Sequence, residues 1–213
     1  MNVLGTIHRP PPTLAAVEKN ISYQRLVEVL ERAQTEGALG TRAIPEVISH
    51  ARAFVAALPP GVKNVVDLGS GAGIPGLVIA LDRPEVQITL VDRRAKRVDA
   101  LRRAVTALEW VARVTVLEAD AHQLALDPAW ARSCAAAVAR GFGPPKETLQ
   151  AAASLVHPGG WVIISEPPDD VPSRWDQQWL TDTGVGAPER HGSVVRFHVE
   201  HPTASPDSPV GVT

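Results

Sequence analysis

From Asn64 onward the chain alternates short apolar runs with amphipathic stretches, and this alternation limits its fold more than any other feature. "NVVDL" (64–68), "VQITLVD" (86–92), "RVTVLEAD" (113–120), "CAAAVAR" (134–140) and "GWVIIS" (160–165) have the length and composition of buried strands. "IPGLVIALD", "KRVDALRRAVTAL" and "KETLQAAASLV" lie between them with helical spacing, the second placing Val98, Leu101, Val105 and Leu108 on one face. Parallel neighbours need a crossover of about a dozen residues, usually a helix, so this order predicts an α/β fold whose mostly parallel sheet is covered on both faces. Near the end, "SRWDQQWLTDTG" reads as a helix and "SVVRFHVE" as a strand, predicting an edge hairpin or antiparallel strand that brings the sheet to seven.

An all-helical lead-in precedes the sheet. "SYQRLVEVLERAQTEG" puts Leu26, Val29, Leu30 and Ala33 on one face, with Ser22 as N-cap and Gly37 as stop. In "IPEVISHARAFVAALPPG", Ile44, Val47, Ile48, Ala51, Phe54, Val55 and Leu58 recur with helical spacing until Pro59-Pro60-Gly61 ends them. The expected organisation is a loose arm over 1–20, a helical segment over 21–60, the main domain over 61–201 and a disordered Pro/Ser/Gly-rich tail over 202–213. With 213 residues, 45% of them apolar, one domain with a full core is the natural size.

A formal charge of −2 argues against non-specific coating of nucleic acid and leaves room only for a local basic patch. The one cysteine, Cys134, cannot close an internal disulfide, and the scattered histidines, His198 and His201 included, lack ligand spacing, so no metal is expected. No apolar run reaches about 18 residues and no charged-then-apolar leader is present, which predicts a cytoplasmic protein with no membrane span.

The chemistry is written in "DLGSGAGIPG" (67–76). Read from Gly71 it is the dinucleotide fingerprint G-x-G-x-x-G; read from Asp67 it is D-x-G-x-G-x-G, the adenosylmethionine loop. Glycines at 69, 71 and 73 let the backbone turn and approach a ligand. Asp92, at the end of the second strand, suits ribose hydroxyls under either template. Asp67 separates the two: at about 6 Å a carboxylate repels each pyrophosphate charge by roughly 3 kcal/mol at an effective dielectric near 20, whereas it attracts the ammonium and sulfonium of adenosylmethionine. Asp120, ending the third strand, completes a graded set: Asp67 toward the methionine end, Asp92 at the ribose, Asp120 at the base. The expected cofactor is therefore S-adenosyl-L-methionine, with Asp67, Gly69, Ser70, Gly71, Gly73, Pro75, Gly76, Asp92, Arg93, Asp120, Ala121 and Arg140 around it.

"LVHPGGWVIIS" (155–165), read as a helix ending in Pro-Gly-Gly before an apolar strand, resembles the fifth-strand entry of Rossmann-like class I methyltransferases. Within that class, Ile74-Pro75-Gly76, Arg83-Pro84, Lys96-Arg97 and Ala139-Arg140 resemble the glucose-inhibited division B family, over residues 64–165. The resemblance implies methyl transfer to guanine N7 of small-subunit (16S) ribosomal RNA, by a monomer. "ERAQTEGALGTR" stands where family members carry Trp-Asn and Asn-Leu-Thr, and "SEPPDD" replaces a Lys-Gly pair, setting Glu166, Asp169 and Asp170 near the site mouth as a charge that repels phosphate. A small-molecule acceptor and a non-catalytic binding protein are the alternatives.

Guanine N7 bears a lone pair and no proton, so its alkylation needs alignment and no general base. Arg140 is the expected target contact, by hydrogen bonds or stacking, with a salt bridge to a strand-end acid as its other reading. Arg93, Arg94, Lys96, Arg97, Arg102 and Arg103 form a basic helix face, either solvated or anchoring phosphates. Trp175 and Trp179 cover the sheet or stack on the target; Cys134 and Trp161 read as core residues.

Overall fold

The computed structural model describes residues 13–167 and 173–200. Its elements are α1 (Leu14–Thr35), α2 (Ile44–Ala57), β1 (Asn64–Leu68), α3 (Gly76–Asp82), β2 (Gln87–Asp92), α4 (Ala95–Ala107), β3 (Val114–Glu118), α5 (Ala121–Leu124), β4 (Cys134–Ala139), α6 (Pro145–Leu155), β5 (Val156–Ser165), α7 (Gln177–Thr183), β6 (Glu189–His191) and β7 (Val194–His198). The strands form one seven-stranded sheet in the order β3-β2-β1-β4-β5-β7-β6. β1 to β5 run parallel, while β7 pairs antiparallel with β5 and β6 with β7, so the expected mostly parallel sheet and its closing hairpin are both present.

Period-2 alternation divides the core into two layers. Val65, Ile88, Leu90, Ala136 and Val138 pack with α1 to α4, and Val66, Leu68, Val91, Ala137 and Ala139 pack with α5, α6 and α7. The order of the chain reverses between β1 and β4: crossovers on one side of that pair lie on one face and those on the other side on the opposite face. A crevice opens there beyond the carboxyl ends of the strands.

Three local expectations change. α1 starts at Leu14, where Thr13 Oγ1 accepts from the Ala16 N–H at 3.3 Å, and Ser22 is an interior helical residue. The early turns carry Leu14, Val17 and Ile21 exposed, so they present no buried face for a periodicity argument to find. Residues 1–12 of the loose arm and the whole disordered tail, 202–213, lie outside the described residues, while 13–20 are the cap and first turns of α1. Pro158-Gly159-Gly160 lies within β5 rather than at a helix end: α6 stops at Leu155, and the Gly159 N–H and Gly160 C=O exchange bonds with Val199. A Cβ at Gly160 would sit 2.4 Å from Val156 Cγ1 and 2.6 Å from the Ala135 oxygen, so close backbone approach requires glycine there.

The entrance to β1 is pinned across the sheet. Asn64 donates through Nδ2 to the Ser133 oxygen at 3.2 Å and accepts on Oδ1 from the Ala135 N–H at 2.8 Å. Asn64→Ala leaves both backbone groups without these partners and is expected to cost about 1–3 kcal/mol. A urea titration checks it, and a midpoint equal to that of the wild type would contradict the assignment.

Candidate active site

Asp67, the penultimate residue of β1, has its side chain completely buried (0% exposed), on the face it shares with Val65. Oδ2 accepts from the Gly76 N–H at 3.0 Å, tying the start of α3 to the strand, whereas Oδ1 is buried with no hydrogen-bond partner. Desolvation pushes the carboxyl up to about 7, against the lowering effects of the Gly76 bond, the Ser70 hydroxyl and the Arg140 charge. Arg140 follows β4 on the same face by strand parity, is half-buried, and is held below the usual guanidinium range by burial, with Asp67 opposing and the charge of Arg42 adding to the effect. Arg140 thus lies in the field of a strand-end acid, but Asp67 and Arg140 form no direct ion pair, so the expected salt bridge is not formed.

The loop itself is wound tightly. Gly69, Gly71 and Gly73 all have φ between 57° and 89°, the left-handed region that favours glycine. The Ser70 hydroxyl donates to the Asp67 oxygen at 2.8 Å, and the Gly73 N–H donates to the Ser70 oxygen at 2.7 Å. Two of the glycines meet the protein's own core rather than an approaching ligand. A Cβ at Gly73 would lie 2.4 Å from Leu77 Cδ1, and one at Gly76 would lie 2.3 Å from Leu90 Cδ2. Pro75 is buried as the N-cap of α3, its oxygen accepting from Val78 and Ile79. Gly71 faces Arg97 Nη1 at 3.7 Å and stays open.

Beside the loop lies an open cleft of about 290 Å³, and Gly69, Asp92, Arg93, Asp120 and Ala121 line it together. Asp67, Ser70, Gly73, Pro75 and Gly76 form the layer beneath. Asp92, only 4% exposed, accepts from the Gly71 N–H on Oδ2 and from the Arg94 N–H on Oδ1, each at 3.0 Å, with Arg97 Nη1 3.6 Å away. Two carboxylate oxygens have about four acceptor sites, so a ribose diol still finds room. Asp120 caps α5, Oδ1 accepting from the N–H groups of His122 and Gln123, while Oδ2 faces Arg93 Nη1 at 3.7 Å.

The sequence reading missed several cleft residues, chief among them Phe142, with His122, Arg94 and Glu147. Phe142 lies directly on Gly69, where a Cβ would come 2.8 Å from its Cδ2, and its ring meets that of His122 at 5.6 Å. The sequence did hold a signal: "GFG" immediately after a strand carries an aromatic ring on a pliable stretch at the ligand end of the sheet. Arg42 had none, because only the packing of the α1–α2 loop brings its charge to Arg140.

Of the acidic mouth, the Glu166 part is corrected. Glu166 is 7% exposed on its side chain and accepts from Arg174 Nη2 at 3.3 Å and Trp175 Nε1 at 3.1 Å, so its charge is met internally. Asp169 and Asp170 lie outside the described residues. Trp175 packs edge-on against Phe197 at 4.7 Å, and Trp179 sits under Lys146, so neither lines the cleft. Cys134 is buried, its thiol raised by desolvation, and Trp161 packs half-buried between Arg196 and His198. On the basic face, Arg93, Arg97 and Arg102 pair with acids; Arg94, Lys96 and Arg103 have no ion-pair partner among the described residues. No described helix is long and apolar enough to cross a membrane.

The family model of rRNA small subunit methyltransferase G, the GidB family, matches residues 22–166, a span holding the glycine loop, the three strand-end acids and Arg140. The chain belongs to this family. It is 31% identical to a ribosomal RNA small subunit methyltransferase G of Salinispora arenicola over 91% of this chain and 85% of that protein. The counterpart from Salinispora tropica is 30% identical over 85% and 81%. Among solved structures, an O-methyltransferase family protein from Burkholderia thailandensis superposes with a TM-score of 0.56 at 16% identity, covering 88% of this chain and 72% of that one. The S-adenosylmethionine-dependent methyltransferase SibL gives 0.53 at 20%, covering 86% and 72%. Sheet order and superposition agree on a Rossmann-like class I methyltransferase fold, and family membership makes the chain a methyltransferase.

Proposed function

We propose that the protein transfers a methyl group from S-adenosyl-L-methionine to guanine N7 of small-subunit ribosomal RNA. The observation that carries this reading is the family match over the span containing the site. The donor set fits the cofactor: the unpartnered Asp67 Oδ1 beneath the glycine loop suits a cation, Asp92 retains acceptor capacity for a ribose, and Asp120 Oδ2 suits an exocyclic amine. When bound, the cofactor supplies a methyl carbon made electrophilic by its sulfonium. The protein's own work is then positional. Asp67 draws the cationic end toward β1, Asp92 and Asp120 fix the nucleoside over β2 and β3, and the acceptor is left the β4 side, where Arg140 stands. Gly69 and Gly71 leave the loop open, Arg93 borders the base region, and Ala121 closes the end of the cleft.

Guanine N7 attacks with its own lone pair, so no residue is asked to take a proton, and the site answers that requirement with alignment alone. Glu166 has its charge met internally, so it does not by itself oppose a polyanionic acceptor. Arg94, Lys96 and Arg103 add cations along α4 that suit phosphates. The reading implies the cytoplasm, where ribosomal subunits are found, and a single chain as the working unit, because every proposed contact comes from residues of one copy.

Mass analysis of nucleosides from 16S rRNA tests it. A strain lacking the gene is expected to lose one N7-methylguanosine per small subunit and to regain it when purified protein and S-adenosylmethionine are added to its subunits. Unchanged modification in the deletion strain would remove the assignment.

A further inference from the structure

Phe142 packs partly against the core and partly into the cleft, where it meets Gly69 and His122. It follows Arg140 on a Gly-Phe-Gly stretch at the end of β4. Gly141 has φ 62° with nothing within 4 Å of where its Cβ would be, and at Gly143 the nearest atom is Thr148 Oγ1 at 3.8 Å. Neither glycine is demanded by packing, so the stretch that carries the ring is not shaped by the core around it. That ring is half-buried, rests on Gly69 and touches His122 across the cleft. Beneath the same loop, the Thr148 hydroxyl is buried without a partner, so this part of the wall keeps unused hydrogen-bonding capacity.

The strand order assigns the ring its side. In β3-β2-β1-β4, Asp120 and Asp92 mark β3 and β2 as the nucleoside side of the crevice, and the cationic end falls to Asp67 on β1. The next strand outward is β4, and the groups it projects are Arg140 and Phe142. Resting on the proposed reaction, we infer that Phe142 is the face on which the target guanine stacks. Stacking fixes the plane of the base and points its N7 edge along the sheet toward β1. It also acts on charge: the base becomes cationic as N7 takes the methyl group, and an aromatic face attracts a cation more than a neutral ring. The contact therefore strengthens along the reaction, so part of its effect falls on kcat.

The experiment compares Phe142→Leu, which keeps apolar bulk without a π face, with Phe142→Tyr, which keeps the ring. The substrates are small ribosomal subunits from the deletion strain, donor binding is followed by calorimetry with S-adenosylhomocysteine, and thermal melting confirms folding. Base stacking on an aromatic side chain accounts for about 1–3 kcal/mol, so Phe142→Leu is expected to lower kcat/KM roughly tenfold or more, with kcat itself reduced. Phe142→Tyr should stay within about threefold of the wild type, and any loss of S-adenosylhomocysteine affinity in Phe142→Leu should be much smaller than its loss in kcat/KM. A Phe142→Leu enzyme as fast as the wild type, or one whose defect is loss of S-adenosylhomocysteine affinity, overturns the inference while leaving the reaction intact. A wild-type protein that methylates no subunits overturns the reaction itself, and the stacking role with it.

Discussion

Asp67→Asn is expected to make the protein more stable above neutral pH while stripping it of donor affinity. In the folded state the carboxyl titrates near 7, against 3.8 for an ordinary aspartate, because burial disfavours its charge more than Gly76, Ser70 and Arg140 favour it. Between about pH 4 and pH 7 the native state holds a proton that the unfolded chain releases, so stability falls as pH rises through that window and is lowest above it. A shift of this size corresponds to about 4 kcal/mol as an order of magnitude. Asparagine keeps the shape and an acceptor for the Gly76 N–H and has nothing to ionise. Urea unfolding at pH 5, 6.5 and 8 should show the wild type losing stability across the series and the variant nearly level, with a gain of about 2–4 kcal/mol at pH 8. A wild-type curve flat with pH would sink this account.

Donor binding should move the opposite way. A cation restores the charged carboxylate, so the wild type is expected to bind S-adenosylmethionine more tightly as pH rises toward 7 and to release a proton in doing so. Removing one partner of a buried charge pair costs about 2–5 kcal/mol, which puts the affinity loss in Asp67→Asn at roughly 30-fold or more. Calorimetry in two buffers of different ionisation enthalpy measures both the affinity and the proton. Equal affinity in the two proteins would show that Asp67 serves the turn and not the ligand.

Gly76→Ala is expected to be strongly disruptive. Its Cβ would stand 2.3 Å from Leu90 Cδ2 and 2.7 Å from Asp67 Oδ2, both in the packed interior where neither neighbour has room to retreat. Overpacking of this kind costs about 1–3 kcal/mol, and displacing the buried carboxylate from the Gly76 N–H adds to it. A loss of about 3 kcal/mol lowers the melting temperature of a chain this size by roughly 6–12 °C. Gly37 provides the control: its φ of 73° strains an alanine, but nothing lies within 4 Å of the added atom, so a smaller loss is expected there. Thermal denaturation of the two variants side by side decides the matter, and a Gly76→Ala protein melting with the wild type would contradict the packing described.

Much of this site was legible before any coordinates, because its grammar is local. A strand carrying Asp67 next to its end, a glycine turn and a helix are consecutive in the chain, and counting onward reached Asp92 at the end of β2, while Asp120 lies two residues past β3 as the cap of α5. The roles of the glycines were less legible. Gly73 and Gly76 read as places for a ligand to approach, yet the atoms that exclude a side chain there belong to Leu77, Leu90 and Asp67. Spacing alone does not distinguish a ligand from the protein's own core as the thing lying against a glycine. Glu166 shows the same limit for charge: its sequence neighbourhood is acidic, and its neutralising partners arrive from beyond the next turn.

By itself the sequence determined the alternation of strands and crossover helices along the chain and the glycine turn that follows the first strand, since these follow from backbone sterics and burial acting within a few residues. Only the tertiary structure decided that Asp67 is sealed from water with one oxygen unpartnered, that Arg42 brings its charge to Arg140, and that Phe142 lies across Gly69. Desolvation, charge proximity and ring contact depend on distances in space between segments far apart along the chain, and no local pattern of residue types sets those distances.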